Sequence, residues 1–280
     1  MQLSKEDITH FTEKDINDAI NDILETDAIG KTPTDQPIAI LLGGQPASGK
    51  TTIQKMQEKE EPNMIIINGD SYRKEHPNFT KIQDTYGKDS VTYTQPFSNA
   101  VVENLIEKLS NEKYNLIIEG TLRNPDTQMN TCAMLKEKGH NVELHVMAVN
   151  KETSWQGTLN RYNEMKALGQ IPRATPKASH DETVTKLPDS ISKAYKSNLF
   201  DRIALVTRDA QYLYDSKATP EINPKEILHQ ALHTTDKQRQ HPKEKPSLKQ
   251  SLKTYKQMAD QHNANRQKNS KGKTKNEPER

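Results

Sequence analysis

Apolar residues along the chain fall into five short runs that alternate with segments of helical periodicity. A short apolar run between polar turns is typical of a strand that is buried on both faces of a sheet. Alternation of such strands with helices predicts an α/β fold, a three-layer sandwich with a mainly parallel sheet and right-handed connections. The predicted strands are residues 38–42, 64–68, 115–119, 142–149 and 203–206.

The N-terminal part of the chain predicts a helical region followed by a linker. Residues 4–24 have helical periodicity, and Ser4 and Thr12 each precede an aspartate by three positions, a pattern close to a capping box. Residues 30–37, Gly-Lys-Thr-Pro-Thr-Asp-Gln-Pro, have the composition of a linker. We therefore expect the first strand to begin directly after this linker.

Further helical segments lie between and after the later strands. Residues 98–110 place five aliphatic side chains on one stripe, and residues 127–138 run up to Gly139, a residue type that often ends helices. Residues 152–200 contain two helical stretches on either side of the proline-rich segment 169–176. We predict that this segment is a hinge or lid region.

The composition of the chain changes after residue 234. Residues 235–280 contain 13 Lys and Arg against 5 Asp and Glu, a charge of +8, which leaves −6 for residues 1–234 from the total of +2. Few aliphatic residues remain in this tail to offset chain entropy by burial. We therefore predict a folded domain at 1–234 and a basic, largely disordered tail at 235–280. A short amphipathic helix in the tail stays open, on the spacing of Leu248, Leu252, Tyr255 and Met258.

The single cysteine and the apolar content indicate the compartment. Cys132 has no second cysteine to pair with, and we expect it to be a small buried side chain. The N-terminus lacks the apolar segment of a signal peptide, and no apolar run approaches the roughly 18 residues that a membrane-spanning helix needs. These features predict a cytoplasmic protein that does not insert into a membrane.

The strongest motif follows the first predicted strand. Its residues match the phosphate-loop pattern G-x-x-x-x-G-K-[ST], and Thr52 continues into a helical segment. In a strand–loop–helix, backbone N–H groups and the positive end of the helix dipole point at one spot, which favours a phosphate. Lys50 is predicted to reach the β and γ phosphates, and the Thr51 hydroxyl to bind Mg²⁺ together with phosphate oxygens and waters. The residues predicted to bind the nucleotide are Gly44, Gln45, Pro46, Ala47, Ser48, Gly49, Lys50, Thr51 and Thr52.

Two acids follow predicted strands at the same edge of the sheet. Asp70 comes after the second strand, where a carboxylate can orient an acceptor hydroxyl and take its proton; the alternative is a helix N-cap. Glu119 ends the third strand and can hold Mg²⁺ through water or bind a substrate hydroxyl. Beyond it, Thr121 and Arg123 offer a hydroxyl and a cation to a substrate, with a solvated loop charge as the alternative for Arg123.

Charged residues also accompany the predicted lid. Arg161 lies on the helix before it and Arg173 within it, where both can neutralise a phosphoryl group in transfer; surface ion pairs are the alternative. His180 and Asp181 follow the lid. No second His or Cys stands at ligand spacing, so we predict that Asp181 is a helix cap rather than a metal ligand.

Four segments taken together resemble the zeta toxins of bacterial epsilon/zeta toxin–antitoxin systems. They are LLGGQPASGKT, INGDSYRKEHPNF, NLIIEGTLR and RYNEMKALGQIPRATPKASHD, in this order within about residues 35–230. The most discriminating stretches are DSYRKEHPNF, PFSNAVVENLIEKL and RATPKASHD, because a phosphate loop by itself occurs in a very large superfamily. The resemblance supports a P-loop NTPase or kinase-like fold.

This resemblance implies an ATP-dependent kinase that phosphorylates the 3′-hydroxyl of the N-acetylglucosamine unit of UDP-N-acetylglucosamine, which would block the synthesis of peptidoglycan precursors. It also implies a small helical antitoxin that covers the nucleotide site, in a heterotetramer. By the same resemblance, ATP binding falls on Lys50 with Thr51, catalysis on Asp70, and phosphate clamping on Arg161 and Arg173. Substrate recognition falls on Glu103, Glu119, Thr121, Arg123 and Thr131.

Two other functions stay open at the level of the sequence. One is a P-loop kinase with another hydroxyl acceptor, such as a nucleic acid end, an antibiotic or a metabolite, because this fold serves many acceptors. The other is a nucleotide-gated protein whose basic tail binds nucleic acid. The negative charge of residues 1–234 and the single tail aromatic, Tyr255, disfavour the second alternative.

Overall fold

A six-stranded sheet with the order β2-β3-β1-β4-β5-β6 forms the centre of the computed structural model, which describes residues 5–169, 172 and 174–234. Strands β1 to β5 are parallel to their neighbours, and β6 is antiparallel to β5 at one edge. The strands are β1 (Ile38–Gly43), β2 (Met64–Ile67), β3 (Asn115–Ile118), β4 (Asn141–Met147), β5 (Arg202–Val206) and β6 (Tyr212–Asp215).

Ten α-helices occur among the described residues. They are α1 (Lys5–Thr9), α2 (Glu13–Asp27), α3 (Lys50–Glu60), α4 (Gly69–Tyr72), α5 (Phe79–Tyr86), α6 (Ser90–Asn111), α7 (Pro125–Glu137), α8 (Lys151–Ala167), α9 (Lys177–Ser197) and α10 (Lys225–His233). Among these described helices, none is long and apolar enough to cross a membrane. The predicted tail, Ser4, Arg173 and residues 170 and 171 of the predicted lid lie outside the described residues, so the statements about them stay predictions.

Alternate residues of each strand face two separate hydrophobic cores. Ala39 and Leu41 of β1 belong to the larger core, which is closed by apolar faces of α2, α6, α7, α9 and α10. Ile40 and Leu42 belong to the smaller core, where Ile53 of α3 packs against the sheet. Helices therefore cover both faces, and the predicted three-layer α/β sandwich with a mainly parallel sheet is confirmed.

The helical character predicted for residues 4–24 is present as two helices, α1 and α2. The second begins after Thr12, whose side chain accepts from the backbone N–H of Asp15 while the Asp15 carboxylate accepts from the Thr12 backbone N–H at 2.7 Å. This capping box fixes an extended conformation at Thr12, with φ −113° and ψ 168°, which a continuous helix cannot contain. The cap expected at Thr12 is thus confirmed, and it separates α1 from α2.

Strand β6 was not predicted. Its sequence, Tyr-Leu-Tyr-Asp, is short, and Leu213 is 42% exposed while Tyr214 is buried. In an edge strand of four residues, buried and exposed side chains alternate over too few positions to be recognised in the sequence. The five predicted parallel strands are all present, and α7 ends before Gly139, which adopts a φ of +88° as expected for a helix stop.

Candidate active site

The phosphate loop connects the carboxyl end of β1 to the start of α3. Gly44 and Gly49 have φ values of +137° and +96°, which favour glycine. A Cβ added at Gly44 would lie 2.9 Å from Ser48 Oγ, so this position leaves no room for a side chain. The predicted strand–loop–helix context of the motif is therefore confirmed.

The loop has the polar groups that a nucleotide phosphate requires. Within the part of the chain that is described, the buried atoms Ser48 Oγ and Gln45 Oε1 have no hydrogen-bond partner. Lys50 Nζ lies 3.5 Å from the Gly44 carbonyl oxygen, at the inside of the loop, and Thr51 is exposed on the first turn of α3. A hydroxyl, an ammonium and a helix N-terminus thus converge, an arrangement that fits a phosphate.

Four of the predicted charged residues interact with one another beside this loop. Burial lowers the pKa of the Lys50 ammonium, while the Glu119 and Asp70 carboxylates act to raise it and Arg161 acts to lower it. Burial raises the pKa of Glu119, which Asp70 raises further and Lys50 and Arg161 lower. Two cations and two acids therefore share one site, as phosphoryl transfer needs.

Asp70 is presented to this cluster by the short helix α4. The cap of α4 is Asn68, whose side chain accepts from the Asp70 backbone N–H at 3.0 Å, so the alternative of Asp70 as an N-cap is wrong. The Asp70 side chain is 52% exposed, and its Oδ1 accepts from Arg73 Nε at 3.0 Å. Arg73 is held in turn by its hydrogen bond to the Val91 carbonyl at 2.7 Å. The carboxylate is thus oriented and open to solvent.

Glu119 and the residues after it connect β3 to the phosphate loop. The side-chain amide of Gln54 on α3 donates to Glu119 Oε1. The backbone N–H of Gly44 donates to the Thr121 carbonyl at 3.2 Å. The Thr121 side chain is exposed, and its hydroxyl accepts from the backbone N–H of Arg123 at 3.3 Å. The predicted positions 119 and 121 therefore lie beside the loop.

The other predicted substrate residues lie on neighbouring elements. Arg123 is exposed and contacts α9, where its Nη1 donates to Ser179 Oγ at 3.1 Å and pairs with Glu182 at 3.5 Å. Thr131, half-buried in α7, donates its hydroxyl to the Thr127 carbonyl at 2.9 Å. Glu103 is exposed on α6, next to Val102.

Arg161 lies on α8 and has a buried N–H group that can bind an anion. Its Nη2 donates to Thr175 Oγ1 at 3.5 Å, and its buried Nε has no partner among the described residues. A guanidinium N–H that is buried without a partner is costly in an isolated protein, and an anion would satisfy it. Arg173, the other predicted clamp, lies outside the described residues.

A buried hydrogen-bond chain links the phosphate loop to α9. Gln45 Nε2 donates to the Val149 carbonyl at 2.8 Å and to Ser154 Oγ at 3.2 Å. Ser154 Oγ lies 2.9 Å from His180 Nε2.

Asp181 lies within α9 rather than at its cap, because Pro176 precedes the first turn, so the prediction of a cap at Asp181 is wrong.

Three residues of the site have no counterpart among the predictions. Asn68 caps α4, Gln54 binds Glu119, and Arg208, in the turn after β5, donates to carbonyl groups of the phosphate loop. Asn68 was within reach of the sequence, since Asn before a helical segment is a preferred cap. Gln54 and Arg208 act through tertiary contacts and leave no local pattern.

The burial of Cys132 agrees with its predicted role. The side chain is fully buried in the larger core, and burial raises the pKa of the thiol to about 11. Such a thiol is inert as a nucleophile.

Among the described residues, no group of three or more His, Cys, Asp or Glu side chains is placed to hold a metal ion.

Comparisons with known proteins match both sequence and fold. A model of the zeta toxin family matches residues 21–219. Toxin zeta of Streptococcus pyogenes is 42% identical over 228 residues, which cover 81% of this chain and 79% of that protein. Toxin PezT of Streptococcus pneumoniae serotype 4 is 44% identical over 213 residues, which cover 75% of this chain and 84% of that one.

A solved structure of the PezAT chromosomal toxin–antitoxin system of Streptococcus pneumoniae contains a chain with the same architecture. It superimposes with a TM-score of 0.74 at 37% identity, over 83% of this chain and 93% of that chain. The matched segment includes the phosphate loop, Asp70, Glu119 and Arg161. With a family model that covers most of its length, this P-loop kinase-like chain belongs to the zeta toxin family.

Proposed function

We propose that this chain is an ATP-dependent phosphotransferase that acts on an alcohol group. The observation that carries this proposal is the phosphate loop, where Ser48 Oγ is buried without a partner among the described residues, with Lys50, Asp70, Glu119 and Arg161 interacting beside it. Phosphoryl transfer needs little covalent chemistry from a protein and works by positioning and by charge stabilisation. A cradle for phosphate, two cations and an accessible carboxylate supply these elements.

Each residue of the cluster has a role in this proposal. Bound ATP with Mg²⁺ supplies the phosphoryl group and neutralises part of its charge. Lys50 and the loop hold the phosphates, and Thr51 supplies a hydroxyl ligand for the metal ion. Arg161, with Arg173 as a second clamp, donates to oxygens of the transferred group. Asp70 orients the acceptor hydroxyl and accepts its proton.

We further propose that the acceptor is the 3′-hydroxyl of the N-acetylglucosamine unit of UDP-N-acetylglucosamine. Membership of the zeta toxin family supports this choice, together with the resemblance of the motif residues. In this proposal the acceptor lies against the end of β3 and against α6 and α7. Phosphorylation of UDP-N-acetylglucosamine then removes a precursor of peptidoglycan from the cell. The residues proposed to bind the acceptor are Glu103, Glu119, Thr121, Arg123 and Thr131.

We also propose an antitoxin as the partner of this chain. Its support is the similarity to a chain from the PezAT toxin–antitoxin system. A helical partner that covers the phosphate loop would prevent nucleotide binding, and thus toxicity, until it is degraded. The proposal of an antitoxin is tested by mixing the two proteins and measuring ATP binding. ATP binding should be absent in the mixture and should return after the antitoxin is digested.

The test of the catalytic proposal is an analysis of products. The purified chain is incubated with ATP, Mg²⁺ and UDP-N-acetylglucosamine, and the product is identified by mass spectrometry and NMR. Asp70→Asn is compared with Asp84→Asn, an exposed aspartate on α5 that lies outside the cluster. Loss of a general base lowers turnover by about 10²–10⁴-fold, so we expect that loss for Asp70→Asn, with ATP affinity nearly unchanged.

Three results would contradict parts of the proposal. A product phosphorylated at another hydroxyl, or no product from this acceptor while a nucleic acid end or another metabolite is phosphorylated, would refute the choice of acceptor. Turnover by Asp70→Asn at the rate of the parent chain would refute the role of that carboxylate. Absence of ATP binding would refute the transferase itself.

A further inference from the structure

Arg208 connects the turn after β5 to the phosphate loop. Its Nε donates to the Ser48 carbonyl at 3.2 Å, and its Nη2 donates to the Ala47 carbonyl. The two carbonyl groups belong to consecutive residues in the middle of the loop. One guanidinium fork therefore fixes the orientation of two successive peptide groups.

The conformation that Arg208 holds is one that the loop would not readily adopt alone. Ala47 has a φ of +55°, a left-handed conformation that is unfavourable for a residue with a Cβ. Such a conformation persists where surrounding contacts determine it. The Ala47 carbonyl is held from outside the loop by Arg208, so the arginine supplies one of these contacts.

Helix α8 closes the same junction from another side. A Cβ added at Gly157 would lie 3.2 Å from Ala47 Cβ, 3.3 Å from the Ala47 carbonyl oxygen and 3.3 Å from Arg208 Nη2. Glycine in the interior of a helix lowers its stability relative to alanine. The close approach of α8 to the loop gives a reason for this glycine, because any side chain would push against the arginine and the loop backbone.

The contact also acts on the phosphate-binding face of the loop. The Ser48 carbonyl shares its peptide group with the Gly49 N–H. A cationic donor on a carbonyl polarises the peptide group and strengthens its N–H as a donor. The N–H groups of a phosphate loop bind the α and β phosphates of a nucleotide. The fork therefore orients and strengthens the Gly49 N–H, while the Ser48 N–H donates within the loop to the Gln45 carbonyl at 3.1 Å.

We propose that Arg208 is a positioning residue that sets the phosphate loop for the β-phosphate of a nucleotide, and that Gly157 is required because it leaves room for this contact. The inference rests on the proposed nucleotide binding. It assigns a function to a residue after β5 that acts through the loop backbone and not by contact with the reacting atoms.

A comparison of ADP with AMP isolates this role, because AMP lacks the β-phosphate. Affinities of both nucleotides are measured by competition against a fluorescent ADP analogue, for the parent chain, Arg208→Ala, Arg208→Lys and Gly157→Ala. Gln211→Ala, an exposed residue of the same turn, is the matched control. Circular dichroism and the melting temperature of each variant verify folding.

The expected result is a selective loss of the β-phosphate contribution. Arg208→Ala should weaken ADP binding by about ten- to hundred-fold, the range for the loss of a charge-assisted hydrogen bond, and AMP binding by less than about threefold. Arg208→Lys should recover part of the loss, because lysine keeps the charge and loses the fork. Gly157→Ala should weaken ADP binding in the same selective way although Arg208 is intact, with a circular dichroism spectrum like that of the parent chain.

Two outcomes would overturn the inference. Equal losses for AMP and ADP would show that Arg208 acts on a part that both nucleotides contain, which is the base, the sugar or the α-phosphate. Unchanged ADP affinity in Arg208→Ala would show that the contact is dispensable. In both cases the parent chain still binds ADP, and the proposed function stands. If the parent chain itself does not bind ADP, the proposed function fails, and the inference fails with it.

Discussion

Replacing Glu143 by Gln tests the buried charge cluster at the end of the sheet opposite the active site. Glu143 lies near the start of β4, and its side chain is 10% exposed. Its carboxylate accepts from His145 Nε2 at 2.9 Å, Arg202 Nη1 at 3.3 Å and Lys217 Nζ at 2.8 Å. Burial opposes ionisation of this group, but His145 and Lys217 lower the pKa of Glu143 well below its ordinary value.

The surroundings set the size of the expected effect. Removing one partner of a buried ion pair costs about 3–5 kcal/mol. Arg202 keeps hydrogen bonds to Asp215 at 2.7 and 3.1 Å, and the Lys217 ammonium regains water because the side chain is 55% exposed. The fully buried His145 no longer faces a carboxylate, because the glutamine side chain offers a single neutral amide oxygen as an acceptor. We therefore expect a loss near the lower limit, about 3 kcal/mol, or roughly 6–12 °C in melting temperature.

Thermal unfolding followed by circular dichroism measures this effect. Lys217→Ala, which removes the exposed partner, is the control and should cost less than about 1 kcal/mol. ADP affinity should be the same in both variants, because the cluster lies away from the phosphate loop.

The pH dependence gives a second test of the same group. A carboxyl with a depressed folded-state pKa contributes stability that is present above its unfolded pKa and is lost as the pH falls toward the folded pKa. The advantage of the parent chain over Glu143→Gln should therefore shrink below the ordinary pKa of 4.5. A melting temperature of Glu143→Gln within about 2 °C of the parent at neutral pH, or an advantage that does not change on acidification, would refute the reasoning.

Three further predictions concern the active site and the N-terminal helices. Lys50→Ala should weaken ATP binding by at least about tenfold in calorimetric titration, and unchanged affinity would contradict its place in the cradle. Arg161→Ala should lower kcat by about 10³–10⁵-fold with a small change in ATP affinity, whereas an equal loss in both would point to a role in binding alone. Thr12→Ala should lower the free energy of unfolding in urea by about 1 kcal/mol and leave ATP binding unchanged; no loss would mean that the capping box does not stabilise α2.

The central sheet could be predicted because its strands are buried on both faces. Runs such as Ile38–Gly43 are apolar at nearly every position, so neither the register nor the exact boundary is needed to recognise them. The edge strand β6 depends on pairing with Leu205 and Val206, and its own four residues do not show this. The start of α2 could be recognised because Thr12 stands three residues before Asp15, which is the pattern of a capping box.

Site residues at the carboxyl end of a strand could be predicted from the chain itself, whereas Glu103 and Thr131, which lie within helices, rest on the resemblance to a family. Lys50, Asp70 and Glu119 follow β1, β2 and β3, and parallel strands bring these ends to one edge. Arg208 also follows a predicted strand, but a single arginine in a turn has no pattern that reveals a contact with a loop 160 positions away. The contact is possible because β1 and β5 are separated in the sheet by β4 alone, so the loop after β1 and the turn after β5 lie at the same edge.

The strand order divides the active edge into two sides around β1. On one side, β3 and β2 place Glu119 and Asp70 beside the loop. On the other side, β4 and β5 are followed by α8 and by Arg208, which contact the loop from outside. Lys50 begins α3, the helix that follows β1. Its ammonium interacts with Glu119 and Asp70 on the β2 and β3 side, whereas Arg208 on the β4 and β5 side holds the loop. Substitutions of Gly157 and Arg208, which hold the loop from the β4 and β5 side, should therefore change nucleotide affinity. Substitutions of Asp70 on the β2 and β3 side, and of Arg161, which interacts with Lys50 and Glu119, should change turnover. Replacement of Lys50 should change both.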